Sequence, residues 1–233
     1  MGQMILDTNF DFYSDAGGGD PDQYSPTLQK YHKILWSKPL PNGQMFELSF
    51  GKNGNYLCHK SKLGEFILGS DAICHEYRNQ EKKKFITEQI PEEVDEFFKA
   101  VSNIAGYIVF PNKMIDGKMT INMARGTNPY IDDRIDLTLE CIRLFYLGEK
   151  SPLYDCFLRY KNFFDLFDDF NGYVKFFLLQ DLIDDKGRIK FYLPFNDFKT
   201  KPLISGVKEY LIYKKKVINF AELRKKRIEN YFS

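Results

Sequence analysis

The sequence TINMARGTNPYIDDRIDLTLECIR, residues Thr120–Arg143, marks the place where a β-rich half of the chain gives way to a helical half. Lys118–Met123 has the composition of a short strand, which would deliver Arg125 into the loop that follows. Beyond Asp132, apolar residues recur every three or four positions, as on the buried side of a helix. The stretch therefore predicts a strand, a loop and then a helix near residues 132–147.

The residues before this stretch predict an antiparallel sheet. Asn53-Gly54 is a strong signal for a two-residue hairpin turn, because both residues tolerate positive φ. Counting back from that turn pairs Phe50 with Leu57, so the flanking strands form a hairpin and the next strand extends it into a meander. The strands are predicted at Met45–Gly51, Asn55–Ser61, Gly64–Ser70 and Tyr107–Phe110.

The residues after the stretch are mainly helical, and one helix precedes the sheet, where Ser25-Pro26 supplies a capping hydroxyl and a first-turn proline. Residues 1–23 are acidic, rich in glycine and expected to be irregular. No proline- or serine-rich linker divides the chain, so residues 1–233 are predicted to form one α+β domain. In it, an antiparallel sheet from the N-terminal half packs against a mainly helical C-terminal half. Helices are predicted at 25–37, from Pro91 onward, and at 132–147, 151–168, 171–184 and 207–231, with a last short strand at Ile189–Leu193.

Composition narrows the classes of function. The formal net charge is only +1, so the chain as a whole has no electrostatic field that would favour nucleic acid or a membrane. No run of about 18 apolar residues is present, which excludes a transmembrane helix. The N-terminus lacks the pattern of a signal peptide, so we expect a cytoplasmic protein. The four cysteines lack zinc-site spacing, which argues against zinc, whereas another divalent metal stays open.

A candidate site lies on the helix predicted near residues 132–147. At about 100° per residue, Asp136, Glu140 and Arg143 fall on one side, opposite the apolar face. If that side lines a cleft, Asp136 and Glu140 are candidate catalytic residues, as metal ligands or as general acid and base. Arg125 and Arg143 are candidate ligand-binding residues, because two guanidinium groups can clamp a phosphate or a carboxylate.

The same residues also allow a purely structural interpretation. Acidic side chains in a first turn stabilise the helix dipole, and Glu140 with Arg143 has the spacing of an ordinary i,i+3 ion pair. His32, four residues before Trp36, is a further candidate ligand contact, together with the acidic loop Asp15–Asp22. A histidine beside a tryptophan is, however, more often a packing residue.

Two classes of function remain open. The first is a domain that binds a small anionic ligand, such as a nucleotide or a phosphate, or that carries out a metal-assisted reaction. The second is an interaction protein that uses an aromatic-rich surface and the basic helix at 207–231 to bind protein or nucleic acid. That helix carries Lys214–Lys216 and Arg224–Arg227, which would form a continuous basic stripe in the second case.

Five segments stand out together: SPTL at 25–28, LGEFILGSD at 63–71, DGKMTIN at 116–122, ARG at 124–126 and GYVKFFLLQD at 172–181. The set resembles an uncharacterised bacterial family, known only as a domain of unknown function. The resemblance runs from about residue 10 to the C-terminus, so it implies a bacterial cytoplasmic protein with one full-length domain. It brings no activity, ligand or catalytic residue with it, and a role in bacterial defence or stress is a hypothesis only.

Overall fold

Four antiparallel strands form the main sheet, in the order β3-β4-β5-β6, and a separate two-stranded ribbon pairs β1 with β2. The computed structural model describes residues 6–52 and 56–232. The sheets lie in the N-terminal half and helices dominate the C-terminal half, so the predicted α+β class is confirmed. The strands are β1 Lys38–Pro39, β2 Met45–Phe46, β3 Ser49–Phe50, β4 Leu57–Ser61, β5 Gly64–Ala72 and β6 Tyr107–Pro111.

The register of the hairpin follows the sequence prediction. Phe50 pairs with Leu57 in the antiparallel β3-β4 pair, as counting back from the turn indicated. The predicted Asn53-Gly54 turn itself lies outside the described residues. The strand predicted over Met45–Gly51 is divided in two, because its first two residues pair with β1 in the ribbon and only its later part joins the main sheet.

Two helix starts agree with the capping chemistry of the sequence. The Ser25 hydroxyl accepts a hydrogen bond from Leu28 N at 3.1 Å, and Pro26 occupies the first turn of α2. Pro91 likewise begins α4 at the predicted place. Within the segment predicted to be irregular, residues 6–23 are described, and α1 begins there at Pro21. The helices are α1 Pro21–Tyr24, α2 Pro26–Trp36, α3 Lys84–Thr87, α4 Pro91–Val101, α5 Ile121–Thr127, α6 Ile135–Tyr146, α7 Tyr154–Arg159, α8 Lys161–Phe164, α9 Phe170–Phe176 and α10 Val207–Phe232.

The strand predicted at Lys118–Met123 is wrong, because α5 occupies most of that segment. The Thr120 hydroxyl caps this helix by accepting a hydrogen bond from the backbone N–H of Met123 at 3.4 Å. A short apolar run fits a strand and a buried helix equally well, and the capping threonine decides between them here. Arg125 therefore lies on a helix and not in a loop.

The helix predicted near residues 132–147 starts later than expected. Asp132 and Asp133 take positive φ values of 49° and 57°, and α6 begins only at Ile135. A left-handed backbone is uncommon for residues with a Cβ, although aspartate is among the few that tolerate it. The two aspartates thus form a turn before the helix and are not part of its first turn.

Two helices and one strand predicted in the C-terminal half are longer than the elements observed there. The helices predicted at 151–168 and 171–184 are broken into α7, α8 and α9. The first break falls at Tyr160, and positive φ at Asp168 and Leu178 ends the helical segments that precede these two residues. The strand predicted at Ile189–Leu193 reduces to an isolated bridge to the residues before it. These breaks let short helices pack at different angles around the aromatic side chains that the sequence supplies in excess.

Aromatic rings fill the space where α9 meets α2. The Trp36 ring centroid lies 6.2 Å from that of Phe176 and 5.2 Å from that of Phe177, and all three side chains are buried. Gly172 is required near the start of α9, because a Cβ there would overlap the backbone carbonyl oxygen of Phe167 and come within 3.1 Å of Pro41 Cγ, just after β1. The close approach places α9 next to the β1-β2 ribbon, where a cavity opens between them.

Candidate functional site

Arg125, which the sequence suggested as a ligand contact, is fully buried between α5, β5 and α6. It contacts the carboxylate of Asp71, donates from Nε to Thr138 Oγ1 at 3.0 Å, and lies 3.4 Å from Asp133 Oδ1. Burial lowers the pKa of Arg125, although the charge of Asp133 opposes that shift. The guanidinium group thus cross-links three elements from inside the protein.

Basic side chains from the segment after β5 hold the two left-handed aspartates. The Nζ atoms of Lys82 and Lys83 lie 2.6 and 2.7 Å from the two carboxylate oxygens of Asp132. His75 Nε2 lies 3.1 Å from Asp133 Oδ2. Burial disfavours the His75 imidazolium, but the charge and hydrogen bond of Asp133 outweigh it and raise the pKa of His75 to about 9. These ion pairs offset the strain of a backbone conformation that costs about 1–3 kcal/mol per residue.

Asp136, a predicted catalytic residue, is also buried. Arg134 donates from Nε and Nη2 to its two oxygens at 3.1 and 2.5 Å, and Tyr192 N donates to it at 2.8 Å. Neither charged side chain has exposed surface. Burial opposes the charge on Arg134, yet Asp136 raises the pKa of that guanidinium. We refer to Asp132, Asp133 and Asp136, with the basic side chains that contact them, as the aspartate network.

Glu140 and Arg143 lie further along α6 and form a bidentate ion pair with two contacts of 2.7 Å. The hydrogen bond to Glu140 raises the pKa of Arg143. Glu140 also lines a cavity of about 530 Å³ whose far wall is formed by residues 195–199. Arg125 and Asp136 both belong to the aspartate network, whereas the Glu140–Arg143 pair lies apart from it, and the predicted site residues do not converge on one cavity.

His32 lies in a hydrogen-bond chain whose direction is fixed. The Trp36 indole can only donate, and its Nε1 donates to His32 Nδ1 at 3.0 Å. His32 Nε2 therefore carries the proton of the neutral ring and donates to Ser70 Oγ at 2.9 Å, and the Ser70 hydroxyl donates to Asp22. Burial and then the charge of Arg224 lower the pKa of His32 to about 3, which keeps the ring neutral.

The chain from Trp36 ends at a small cleft. Asp22 lines this cleft of about 170 Å³ together with His75 and Glu76. Burial raises the pKa of Asp22 to about 6, although the hydrogen bond from Ser70 opposes the shift. The cleft is thus lined by a carboxylate whose pKa is raised towards neutrality and by an imidazolium that Asp133 stabilises. Among the residues that the structure describes, no group of three or more histidine, cysteine, aspartate or glutamate side chains is placed to hold a metal ion.

A larger cavity, of about 560 Å³, opens beside β1, and Lys38 forms part of its wall. Lys38 is 6% exposed, and its Nζ lies 4.9 Å from the Trp36 ring centroid and 4.7 Å from those of Phe176 and Tyr231. Burial and then the charge of Arg224 lower the pKa of Lys38 to about 7. Over residues 6–52 and 56–232, no carboxylate forms an ion pair with this amine.

We refer to this space as the Lys38 cavity. The β1-β2 ribbon, α9 and the end of α10 enclose it, and its polar rim consists of Asp168, Asp169, Asn171 and Lys175. Sequence reasoning did not identify Lys38. One signal was available: no acidic residue occurs between Asp22 and Glu47, so a lysine in the apolar segment Trp36–Pro41 has no partner nearby in the sequence.

The basic residues of α10 are largely engaged within the protein. Lys214 Nζ lies 2.6 Å from Glu93 Oε2 and 2.5 Å from Glu96 Oε2, both on α4. Arg224 is fully buried and donates to three backbone carbonyl oxygens at 2.8 to 3.1 Å. The basic stripe that the sequence suggested is therefore interrupted at both positions, where the charges serve to fix the helix on the domain.

The fold and these sites define a class: an α+β domain with most of its buried charges paired internally and an aromatic cavity that contains a lysine. A family described as a family of unknown function, DUF6994, matches residues 6–228, and the chain belongs to that family. The resemblance to an uncharacterised family over almost the full length is thereby confirmed. No curated protein and no solved structure matches the chain. In the described part of the chain, no helix combines the length and apolar character needed to span a bilayer.

Proposed function

We propose that the protein binds a small anionic ligand in the Lys38 cavity, with the Lys38 ammonium as the counter-ion. The observation that carries this proposal is a buried amine that faces a cavity and has no carboxylate partner within the described residues. An ammonium group removed from water is unfavourable unless it is paired. An acid group in the cavity would supply the missing partner and would be held by it.

The surroundings of Lys38 are suited to an ammonium group that binds an anionic ligand. Three aromatic ring faces stabilise an ammonium by about 0.5–2 kcal/mol each, which compensates part of the lost hydration. Burial and then the charge of Arg224 lower the pKa of Lys38, and the Nη1 and Nη2 atoms of Arg224 already donate to three backbone carbonyl oxygens, so Arg224 adds positive potential while these donors are engaged. Both features favour the binding of an acid group next to the Lys38 amine.

The shape of the cavity restricts the ligand. Its volume of about 560 Å³ lies within the range of about 300–1,000 Å³ that is typical of small-molecule sites. The walls include the rings of Phe167, Phe176 and Tyr231, so a planar or apolar body fits next to the acid group. Asp168 and Asp169 at the rim repel further negative charge. We therefore propose a carboxylate or a monophosphate in preference to a nucleotide with several phosphates.

The residues chosen from sequence take other roles in this proposal. His32 reaches the cavity only through Trp36, whose ring it helps to orient, and Arg125 holds α5 against β5 and α6. Catalytic roles for Asp136 and Glu140, ligand contacts by Arg143, and the nucleic-acid alternative stay predictions. So does the cytoplasmic location, with which four free cysteines are consistent.

Thermal unfolding in the presence of benzoate, phenyl phosphate and the neutral analogue benzamide tests the proposal. At a concentration about 100 times its Kd, a ligand stabilises the native state by about 2.7 kcal/mol. For a domain of this size, that corresponds to about 5–10 °C in Tm. We expect at least one of the acids to raise Tm, whereas benzamide has little effect.

Two variants make the test specific. Lys38→Met should abolish the response to the acids, whereas Lys33→Met should keep it. Lys33, on α2, lies over the Phe50 ring and does not line the cavity. An equal response of Lys38→Met and the parent chain would contradict the proposal. So would equal stabilisation by benzamide and benzoate.

A further inference from the structure

We infer that Lys38 acts as a nucleophile and forms an imine with the carbonyl carbon of a ligand that also carries an acid group. This inference deepens the proposed function and rests on it, since it names the reactive group of the ligand held in the Lys38 cavity. The ligand class is an aldehyde or ketone with a carboxylate or phosphate on the same small molecule.

The position of Lys38 distinguishes it from the other buried lysines that the structure describes. Lys83 contacts Asp132 at 2.7 Å and Lys214 contacts Glu93 at 2.6 Å, so both are held as ammonium groups by carboxylates. Lys38 contacts aromatic rings instead, and no hydrogen-bond acceptor holds its amine among the described residues. Its nitrogen lone pair becomes available as soon as the proton leaves.

Proton loss from Lys38 is favoured near neutral pH. A desolvated lysine next to another cation is a recognised way to activate an amine, because both effects disfavour the ammonium form. Burial and Arg224 supply these two effects here and bring the pKa of Lys38 to about 7. Lys38 can therefore lose its proton near pH 7, whereas an ordinary lysine, with a pKa of about 10.4, is almost entirely protonated there.

The reaction balances without an oxidant or a reductant. The Lys38 lone pair forms a bond to the carbonyl carbon, the carbonyl electron pair moves to oxygen, and a proton passes from nitrogen to that oxygen to give a carbinolamine. Loss of the hydroxyl group with one further proton releases water and leaves a carbon–nitrogen double bond. The net change is amine plus carbonyl giving imine plus water.

The remaining charged groups of the cavity fit this step. Once Lys38 is neutral it no longer pairs with the acid group, so a second cation is needed, and Lys175 on the rim provides one. Asp168, exposed on the same rim, is a carboxylate that can carry the proton transferred during loss of water. A carbonyl ligand therefore places its carbonyl carbon at Lys38, where an unreactive acid such as benzoate would place its carboxylate, and its acid group pairs with Lys175 instead.

Reductive trapping of the full chain tests the inference. The protein is incubated with 4-formylbenzoate and sodium cyanoborohydride, and the adduct is located by intact-mass measurement and peptide mapping. We expect one equivalent of label on Lys38 well before the surface lysines react, and we expect excess benzoate to suppress it. Labelling by benzaldehyde, which lacks the acid group, should be several-fold slower, and Lys175→Met should narrow that difference.

Lys38→Arg separates this inference from the proposed function. Arginine keeps the positive charge but forms no such imine, so benzoate should still raise Tm while specific labelling disappears. A Lys38-dependent response to benzoate, combined with label scattered over surface lysines, would overturn the inference and leave the proposed function standing. Absence of both the benzoate response and the label would overturn both.

Discussion

The aspartate network and the Lys38 cavity both bury charge, but they differ in how that charge is balanced. In the network, Asp132 contacts two lysines, and Asp136 is bound by both donors of an arginine fork and by a backbone N–H. In the cavity, the contacts of the Lys38 amine with residues in the described part of the chain are with three aromatic rings. Fully paired charges cross-link the fold, whereas a charge without a partner marks a position at which a ligand can bind.

The largest loss of stability is expected when one member of an ion pair is removed from the aspartate network. Asp136→Ala would leave the Arg134 guanidinium buried without its carboxylate, and breaking a buried pair in this way costs about 3–5 kcal/mol. Urea unfolding should show that loss as a lower midpoint with an unchanged slope.

Two comparisons control for the loss of a carboxylate. Asp155→Ala removes one member of the exposed Lys150–Asp155 pair and should change stability by less than about 1 kcal/mol. The double variant Arg134→Met with Asp136→Leu should recover most of the loss, because it leaves no charge unpaired. If Asp136→Ala and Asp155→Ala lowered the free energy of unfolding equally, the aspartate network would not be the cross-link inferred here.

The pH dependence of stability is a second test of the difference between the aspartate network and the Lys38 cavity. In the network, His75 is the group that titrates. Asp133 raises the folded-state pKa of His75 to about 9, above its unfolded value of 6.5, so the stabilisation is complete below pH 6.5 and is lost as pH rises through 9. We expect a decrease on the order of 2 kcal/mol across this window. The stability difference between the parent chain and His75→Gln should show this loss, and a difference that is the same at pH 6 and pH 9.5 would contradict the assignment.

Lys38 should show the opposite trend. Its folded-state pKa is lowered from 10.5 to about 7, so the native state is penalised below pH 7, and the penalty fades as pH rises from 7 to 10.5. We expect Lys38→Met to be more stable than the parent chain by about 1–2 kcal/mol at pH 7, and by less at pH 10. Lys33→Met is the matched control and should show no such gain. A destabilised Lys38→Met at both pH values would indicate a structural role for the amine.

Local chemistry in the sequence predicted several elements of the fold correctly. Ser25-Pro26 and Pro91 begin helices where expected, and the hairpin register of Phe50 with Leu57 is confirmed. The prediction failed where tertiary contacts decide the backbone. Asp168 and Leu178 adopt positive φ in segments with helical spacing, and no local pattern indicates that.

The candidate site was harder to predict for a related reason. Asp136 was assigned to a polar face, but its partners include the backbone of Tyr192, which lies 56 residues away in sequence. The burial of Lys38 likewise depends on Phe176 and Tyr231 from two later helices. Spacing along one helix shows which side chains share a face. It does not show whether that face meets solvent, a carboxylate or a ring.

Trp36 is the only tryptophan in the chain, and its position makes its fluorescence sensitive to the Lys38 cavity. The indole N–H is tied to His32, while the ring lies 4.9 Å from the Lys38 amine and against Phe176. Ultraviolet emission from the native chain therefore arises from one indole whose nearest charge changes with the protonation or occupancy of the neighbouring amine. Intrinsic fluorescence thus follows events in the cavity without any attached dye.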